Sequence, residues 1–400
     1  MTRRAWGEGS YDYNENLDRW RWRGYYTDLN GEKKRKEIVA KARKELKLKV
    51  KTFLQEIEDN GVDAFSNMTI EKWCKTWQED VIKPSVKTRT FENYKGTCKN
   101  HIIPNFGKIK LKELQVMPIQ QFLNDLCETH AVSSVLTIRN HFIILLNAAI
   151  EYGYIKNNVA KRTKPPRRVK SEINALTDIE INKLLNVAKE GSYIFYGAKQ
   201  TWIENEGMLY LRNCYYAVVL LAVTTGMRQG EIFGLRWENV NLEQKVLSVK
   251  TNMVTSAEKG QVLDTPKTLT SKRNILLPKK TVETLREWQL YQKKYAEKWG
   301  DIFTNSHQLV FTNSFGKMVS VTNFTKRYFR KMLRSAGISD NVTFHILRHS
   351  FTTQLLKNGV NVNIIAGILG HSNTSVTMDI YAHILPDMQE IAVKELEKLY

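Results

Sequence analysis

The spacing of apolar and polar positions changes period along this chain, and those changes divide it. In Tyr11–Leu29 the aromatic residues Trp20 and Trp22 alternate with Arg19, Arg21 and Arg23, and Tyr25 and Tyr26 follow. Alternation at period two predicts a half-buried strand with a cationic face. Asn30-Gly31 is a hairpin signal, and a second strand is expected over Lys33–Ile38. The period then becomes helical. Val39–Ile57 places Leu46, Val50, Phe53, Leu54 and Ile57 on one stripe. Asp59–Ser66 reads as a linker. From 67 to 163 only helical spacing is found, over Met68–Val81, Thr88–Ile102, Pro118–Cys127 and Ser134–Tyr152, with a break at Pro104–Gly107.

Lys161–Lys170 is basic, lacks acids and carries Pro165-Pro166, which favours an extended path. Beyond it, Leu176-Thr177-Asp178 offers a cap for a helix through Ala188. A buried helix is expected over Leu211–Thr224 and a short one over Glu231–Trp237. Three strands follow, Lys245–Lys250, Gln261–Thr265 and Arg273–Leu277, then helices Thr281–Trp299 and Ser320–Ala336. A helical run carries His345, Arg348 and His349, a second apolar run ends at Gly370-His371, and Glu390–Leu399 closes the chain as a helix. The expected fold is multidomain. Residues 1–66 form a small α+β module and 67–163 an all-α module. A basic linker spans 164–173. Residues 174–400 form a mainly α domain with a small three-stranded antiparallel sheet.

Charge adds a partner to this picture. The net charge of +20 over 400 residues favours nucleic acid or another anionic surface. Arg19, Arg21 and Arg23 on the strand, Arg89 and Lys95 on a helix, and Arg167 and Arg168 in the linker are the candidate DNA contacts. A merely solvated basic surface is the alternative for the first module, and a structural helical bundle for the second. The four cysteines are scattered with no CxxC pair, as expected of buried thiols in a reducing compartment. The N-terminus does not read as a signal peptide. No apolar stretch reads as long enough to span a membrane, so a soluble, cytoplasmic protein is expected.

The chemistry concentrates in three places. Arg228 opens a helix, where backbone N–H groups add to its charge as an anion site, and Glu231 stands where it can hold that arginine. Lys267 lies in a turn between two strands, as a solvated residue or one that can swing into a site. His345 and Arg348, at i and i+3, share a helix face, and Tyr381 supplies a hydroxyl near them in sequence. An arginine-lined anion site with a tyrosine suggests covalent catalysis on a phosphate. Taken singly, His371 reads equally as a turn residue and Tyr381 as a core aromatic. His345 and His349 at i, i+4 do not make a zinc site. The metalloprotease pattern needs Glu after the first His, where Ile346 stands, and no third ligand is in view.

TTGMRQGEIFGLRW, DTPKTLTSKRNILLP, HILRHSFTTQLL and LGHSNTSVTMDIYAHI stand in this order. They resemble the first arginine box, the lysine hairpin and the second box of the tyrosine recombinase, or phage integrase, family. The aromatic-basic head makes the chain most similar to integrases of bacterial conjugative transposons. Met227 and Val159 depart from the family's commoner Leu and Pro. The resemblance implies an arm-type DNA-binding domain at 1–66, a SAM-like core-binding domain at 67–163 and a catalytic domain at 174–400. It implies that Arg228, Lys267, His345, Arg348 and His371 surround a scissile phosphate in double-stranded DNA and that Tyr381 attacks it. His349 is left to packing or support. The implied reaction runs through a 3′-phosphotyrosine and needs neither ATP nor metal, hence no cofactor. A tetramer on DNA is implied, with Glu390–Tyr400 docked on a neighbouring protomer or packed in cis, and an accessory excision factor as a further partner. A type IB topoisomerase and a non-catalytic DNA-binding regulator are the competing readings.

Overall fold

The computed structural model describes residues 9–15, 18–27, 33–60, 68–167, 175–191, 206–256, 260–264, 272–370 and 397. The chain forms two compact units, Met1–Lys170 and Ser171–Tyr400.

In the first unit, β1 (Ser10–Asn14), β2 (Arg19–Thr27) and β3 (Lys33–Ala40) make an antiparallel sheet in that order, followed by α1 (Arg43–Asn60). The single strand expected over Tyr11–Leu29 is therefore two. The chain reverses before Asp18, which takes a positive φ of 48°, a conformation that aspartate tolerates. Tyr11 then pairs with Trp22 and Tyr13 with Trp20, so both aromatic runs share one face. Trp22 and Ala40 of that sheet bury against Leu46 and Val50 of α1. Gly24 is required here, because a Cβ would come within 2.2 Å of the Trp22 ring.

A separate apolar cluster fills 68–167. Its helices are α2 (Ile70–Thr76), α3 (Thr88–Thr97), α4 (Val116–Thr129) and α5 (Val132–Glu151). The first two continue through widened turns, Trp77–Ile82 and Cys98–Ile102. The Trp73 indole donates to the Leu145 carbonyl at 3.0 Å, which ties α2 to α5.

The second unit contains α6 (Asp178–Glu190) and α7 (Glu206–Thr225), then α8 (Gln229–Phe233). Thr177 and Glu180 form a reciprocal capping box on α6. The helix expected over Glu231–Trp237 is α8, which starts earlier and stops at Gly234. There β6 (Asn252–Ser256) passes so close that a Cβ would lie 2.8 Å from the Met253 nitrogen. The three-stranded sheet consists of β4 (Val240–Asn241), β5 (Val246–Val249) and β8 (Arg273–Leu276), in the order β4-β5-β8. The expected member Gln261–Thr265 is instead β7 (Gly260–Asp264), paired with β6 as a separate ribbon. The division follows burial. Leu247, Val249 and Ile275 point into the core, whereas none of β7 is fully buried.

Toward the end of the described part come α9 (Lys279–Trp299), α10 (Arg330–Ser335), α11 (Ile346–Lys357) and α12 (Val362–Leu369). The helix expected over Ser320–Ala336 is present: Ser320 caps it, and it continues from Val321 through a widened turn, Phe324–Phe329, into α10. Gln292 of α9 donates to Tyr210 Oη at 3.1 Å and accepts from Trp237 Nε1 at 2.7 Å. That pairing fixes α9 against α7.

The expectation about membrane spans needs correction. Helices α5 and α7 are each long and apolar enough to cross a membrane by length and composition. Both are core helices. Phe142, Leu145 and Leu146 of α5, and Val218, Val219 and Leu221 of α7, are fully buried. Burial covers 56% of the apolar window of α7 and 39% of that of α5, whose other positions face outward.

The core under the N-terminal sheet is small, so one deletion should unfold it. Leu46→Ala removes a fully buried side chain and should cost about 3 kcal/mol, a large share of such a module's stability. Limited proteolysis should open residues 1–60 while the main melting transition stays put. Protection equal to wild type would contradict this.

Candidate functional site

Helix α7 ends at Thr225, and Gly226 turns the chain with φ +62°. A Cβ there would approach Phe351 of α11 to 2.5 Å and Leu369 of α12 to 2.9 Å. Only glycine permits both the left-handed conformation and that contact. The close approach brings the Gly226 carbonyl to Arg348, whose Nη1 donates to it at 2.8 Å. Arg348 Nη2 donates to the Leu369 carbonyl, also at 2.8 Å. The arginine is only 4% exposed. Two of its five N–H donors thus fix the plane of the fork between the Gly226 turn and the end of α12.

Arg228, two residues past the turn, is the N-cap of α8. Its backbone N–H donates to Glu231 Oε2 and its Nη1 to Oε1, both at 2.9 Å. Glu231 has a side-chain exposure of 4%, against 38% for Arg228. A second guanidinium meets the same carboxylate. Arg273 donates through Nη2 to Oε2 at 2.8 Å and through Nη1 to Oε1 at 3.2 Å. Its own side chain is 6% exposed, and its Nε donates to the Ile368 carbonyl. Burial pushes the Glu231 carboxyl upward. The hydrogen bonds and charge of Arg273, and then Arg228, outweigh it and hold the group below its ordinary range.

Arg273 is not among the residues that the sequence motifs mark. Strand parity is the signal that points to it: Arg273 stands two residues before Ile275, which is buried, while Asn274 and Leu276 are exposed.

His345 and Arg348 both stand at the start of α11, but they do not share an exposed face. His345 is the exposed N-cap, and Arg348 is buried one turn on. The ring of His349 lies 4.9 Å from that of His345, at 83°. Burial, and then the charge of Arg348, lower the pKa of His349, which favours the neutral ring. Lys267, His371, Tyr381, Arg168 and all of Glu390–Tyr400 except Glu397 lie outside the described residues. The structure therefore brings together Arg228, Glu231, Arg273 and, across the Gly226 turn, Arg348.

The candidate DNA contacts are dispersed. Arg19 is exposed on β2. Arg21 and Arg23 both reach Asp12, at 2.6 and 3.1 Å. The hydrogen bond from Arg21 leads the causes that lower the Asp12 pKa. The cationic face of the sheet is thus partly neutralised and its guanidiniums are oriented. Arg89 and Arg167 are exposed. Lys95 is exposed as well, with its Nζ 5.9 Å from the centre of the Phe91 ring.

Residues 174–388 match the phage integrase family, and residues 69–127 match the phage integrase N-terminal SAM-like domain. The chain belongs to the phage integrase family. It is 30% identical to the tyrosine recombinase XerC-like protein of Caldanaerobacter subterraneus subsp. tengcongensis, over 93% of this chain and 94% of that protein. In fold it is similar to the Tn1549 transposon integrase (residues 82–397) solved with transposon right-end DNA. That match has a TM-score of 0.65 at 19% identity, covering 82% of this chain and all of that one. It is also similar to a lambda integrase tetramer bound to a Holliday junction, with TM-score 0.52 and 17% identity over 95% of this chain and 96% of that one. This integrase is a tyrosine-type site-specific recombinase.

Removing the shared carboxylate charge should be costly. Glu231→Gln leaves two guanidiniums competing for a neutral amide, one of them buried, and should destabilise the unit by about 3 kcal/mol. The native pKa of Glu231 is depressed. Its contribution is therefore full above the unfolded carboxylate value, near 4.3. It is lost as pH falls through the lower native value. Denaturant unfolding at pH 7 and pH 3 should show a smaller acid loss in the Gln variant than in wild type. Equal acid losses would contradict the assignment.

Proposed function

We propose that this integrase cuts and rejoins double-stranded DNA at the ends of a mobile element, with Tyr381 as nucleophile. The observation that carries the reading is the pair of oriented guanidiniums: Arg228 on the Glu231 carboxylate and Arg348 on the Gly226 and Leu369 carbonyls. Nucleophilic attack on a phosphodiester builds negative charge on the non-bridging oxygens. Planar guanidiniums fixed in place match that charge and do not have to reorganise as it develops.

In the proposed step the Tyr381 Oη bonds to phosphorus and the bond from phosphorus to the 5′ oxygen breaks. His345 accepts the phenol proton, and Lys267 gives a proton to the leaving 5′ oxygen. Arg228, Arg348 and His371 hold the other oxygens, with His349 in support. The phosphodiester bond is conserved as a 3′-phosphotyrosine. Attack by the 5′ hydroxyl of a second strand releases the tyrosine and joins the new partner, so neither ATP nor a metal ion enters the balance.

Residues 1–66 serve as an arm-binding domain, 67–163 as the core-binding domain, 164–173 as a cationic linker and 174–400 as the catalytic domain. Arg19, Arg21, Arg23, Arg89, Lys95, Arg167 and Arg168 contact DNA. Exchange needs two duplexes and four cuts, so a tetramer forms on DNA, with Glu390–Tyr400 docked on a neighbouring protomer. The lambda integrase tetramer on a Holliday junction supports that stoichiometry. The reaction takes place in the cytoplasm.

A nicked suicide duplex built from the ends of the element that carries the gene should trap a covalent adduct. The adduct should vanish in Tyr381→Phe. Arg228→Lys should bind the duplex normally but cleave at least about 100-fold more slowly, since a point charge does not replace a fork. Adduct formation by the Phe variant would overturn the nucleophile assignment. Weakened binding by the Lys variant at an unchanged cleavage rate would make Arg228 a binding residue only.

Deleting residues 1–66 should leave cleavage of a minimal core duplex intact and abolish integration between complete attachment sites. Full integration by the truncated protein would refute the arm-binding role.

A further inference from the structure

We infer that Arg273 is a positioning residue of the cleavage site, fixing Arg228 through their shared contact with Glu231 and fixing the end of the helix that leads to His371. The inference rests on the reading above, in which Arg228 grips the scissile phosphate.

The geometry singles out Arg273 in three ways. First, it is a charged side chain on the buried face of a sheet. Arg273 pairs with Val249 in register, and Val249 and Ile275 beside it are core residues. A guanidinium does not take such a place without partners. Second, its partners are functional groups of the site. It meets both oxygens of Glu231, at 2.8 and 3.2 Å, and Glu231 takes the Arg228 Nη1 at 2.9 Å. Third, its Nε donates to the Ile368 carbonyl, while Arg348 holds the next carbonyl, that of Leu369. The last carbonyls of a helix have no partners within it. Here two buried guanidiniums cap neighbouring ones, immediately before Gly370 turns the chain toward His371 with φ +65°.

The electrostatics explain what Arg273 does that Glu231 alone does not. Arg228 is 38% exposed and approaches the carboxylate with one nitrogen of its fork. Arg273 occupies both oxygens from the buried side. Without it, a carboxylate stripped of water keeps only Arg228 as a cationic partner among the described residues. Arg228 is then drawn inward to pair with both oxygens, or the carboxylate takes up a proton and lets Arg228 go. Either change displaces the fork from the phosphate. Arg273 thus also links β8 to Arg228, through Glu231, and to the end of α12, through the Ile368 carbonyl.

The test uses the full-length chain and the nicked suicide duplex from the element's own ends. DNA affinity, adduct rate constant and final adduct amplitude are measured for wild type, Arg273→Gln, Arg273→Lys, Arg228→Lys and the Arg228→Lys/Arg273→Gln double variant. Arg273→Gln should bind within a few-fold of wild type, reach the same amplitude and form adduct about 100-fold more slowly, the effect of a small misplacement of a catalytic group. Arg273→Lys should recover part of that rate. The double variant should be no slower than Arg228→Lys alone, because the two arginines act as one unit. A merely structural role would lower amplitude instead, as the fraction of folded protein falls, and would multiply with Arg228→Lys. Either of those results, or wild-type cleavage by Arg273→Gln, overturns the inference. If Arg273→Gln does not fold, the same comparisons decide it with Arg273→Lys. Wild-type cleavage by Arg228→Lys would instead remove the phosphate-clamp reading, and this inference with it.

Discussion

A carboxylate with 4% of its side chain exposed stays ionised only where its charge is met, and in this integrase two guanidiniums meet that of Glu231. The arrangement is more than a stabilising pair. One partner, Arg273, is buried with the carboxylate, and the other, Arg228, is turned toward solvent. The buried arginine satisfies the carboxylate from inside the fold. The exposed arginine is thereby held at one nitrogen while its charge remains near the surface. A cation on a flexible stem becomes an oriented fork.

The second arginine of the site is fixed by different means. Arg348 is held by carbonyls rather than by a carboxylate, and its position depends on Gly226. A side chain at that turn would strike Phe351 and Leu369, forcing apart the segments whose carbonyls the guanidinium bridges. The Gly226 turn separates Arg348's acceptor from Arg228 by only two residues. A displacement at the turn would therefore move both arginines together. Buried ion pairs are weak evidence for stability, since desolvation offsets most of the attraction. Their retention at the proposed cleavage site fits the alternative use, in which geometry is gained at little net stability.

What could be read from the sequence follows the range of the interaction responsible. Thr177 and Glu180 signal a helix start within four residues, and the capping box is present. Trp20 and Trp22 share a face because alternation is a property of one strand, and their partners Tyr13 and Tyr11 follow the same rule. Pairing between strands is set by burial at a distance. Gln261–Thr265 reads as a member of the three-stranded sheet, yet the strand there, Gly260–Asp264, joins Asn252–Ser256, while the short strand Val240–Asn241 takes its place. The clustering of Arg228 and Arg348 is implied by the family resemblance, and the hold of Glu231 on Arg228 by their spacing. Arg273 is not marked in this way, because a basic residue after Ser271-Lys272 reads as solvated. Only its parity with buried Ile275 marks it as inward-facing. Helices α5 and α7 depend on packing in the same way. Their apolar length would suit a membrane, and tertiary packing covers it instead.

In the proposed reaction the arginine clamp is built into the protein fold and does not have to be assembled by DNA. The direct measurement is a crystal structure of the integrase on a cleaved duplex with vanadate linking Tyr381 to the 5′ hydroxyl end. Arg228 and Arg348 should reach equatorial oxygens of vanadate while Arg228 still touches Glu231, Glu231 still touches Arg273, and Arg348 still holds the Gly226 carbonyl. An Arg228 that contacts vanadate only after leaving Glu231, or an Arg348 that never reaches it, would rule out a clamp built before DNA binds.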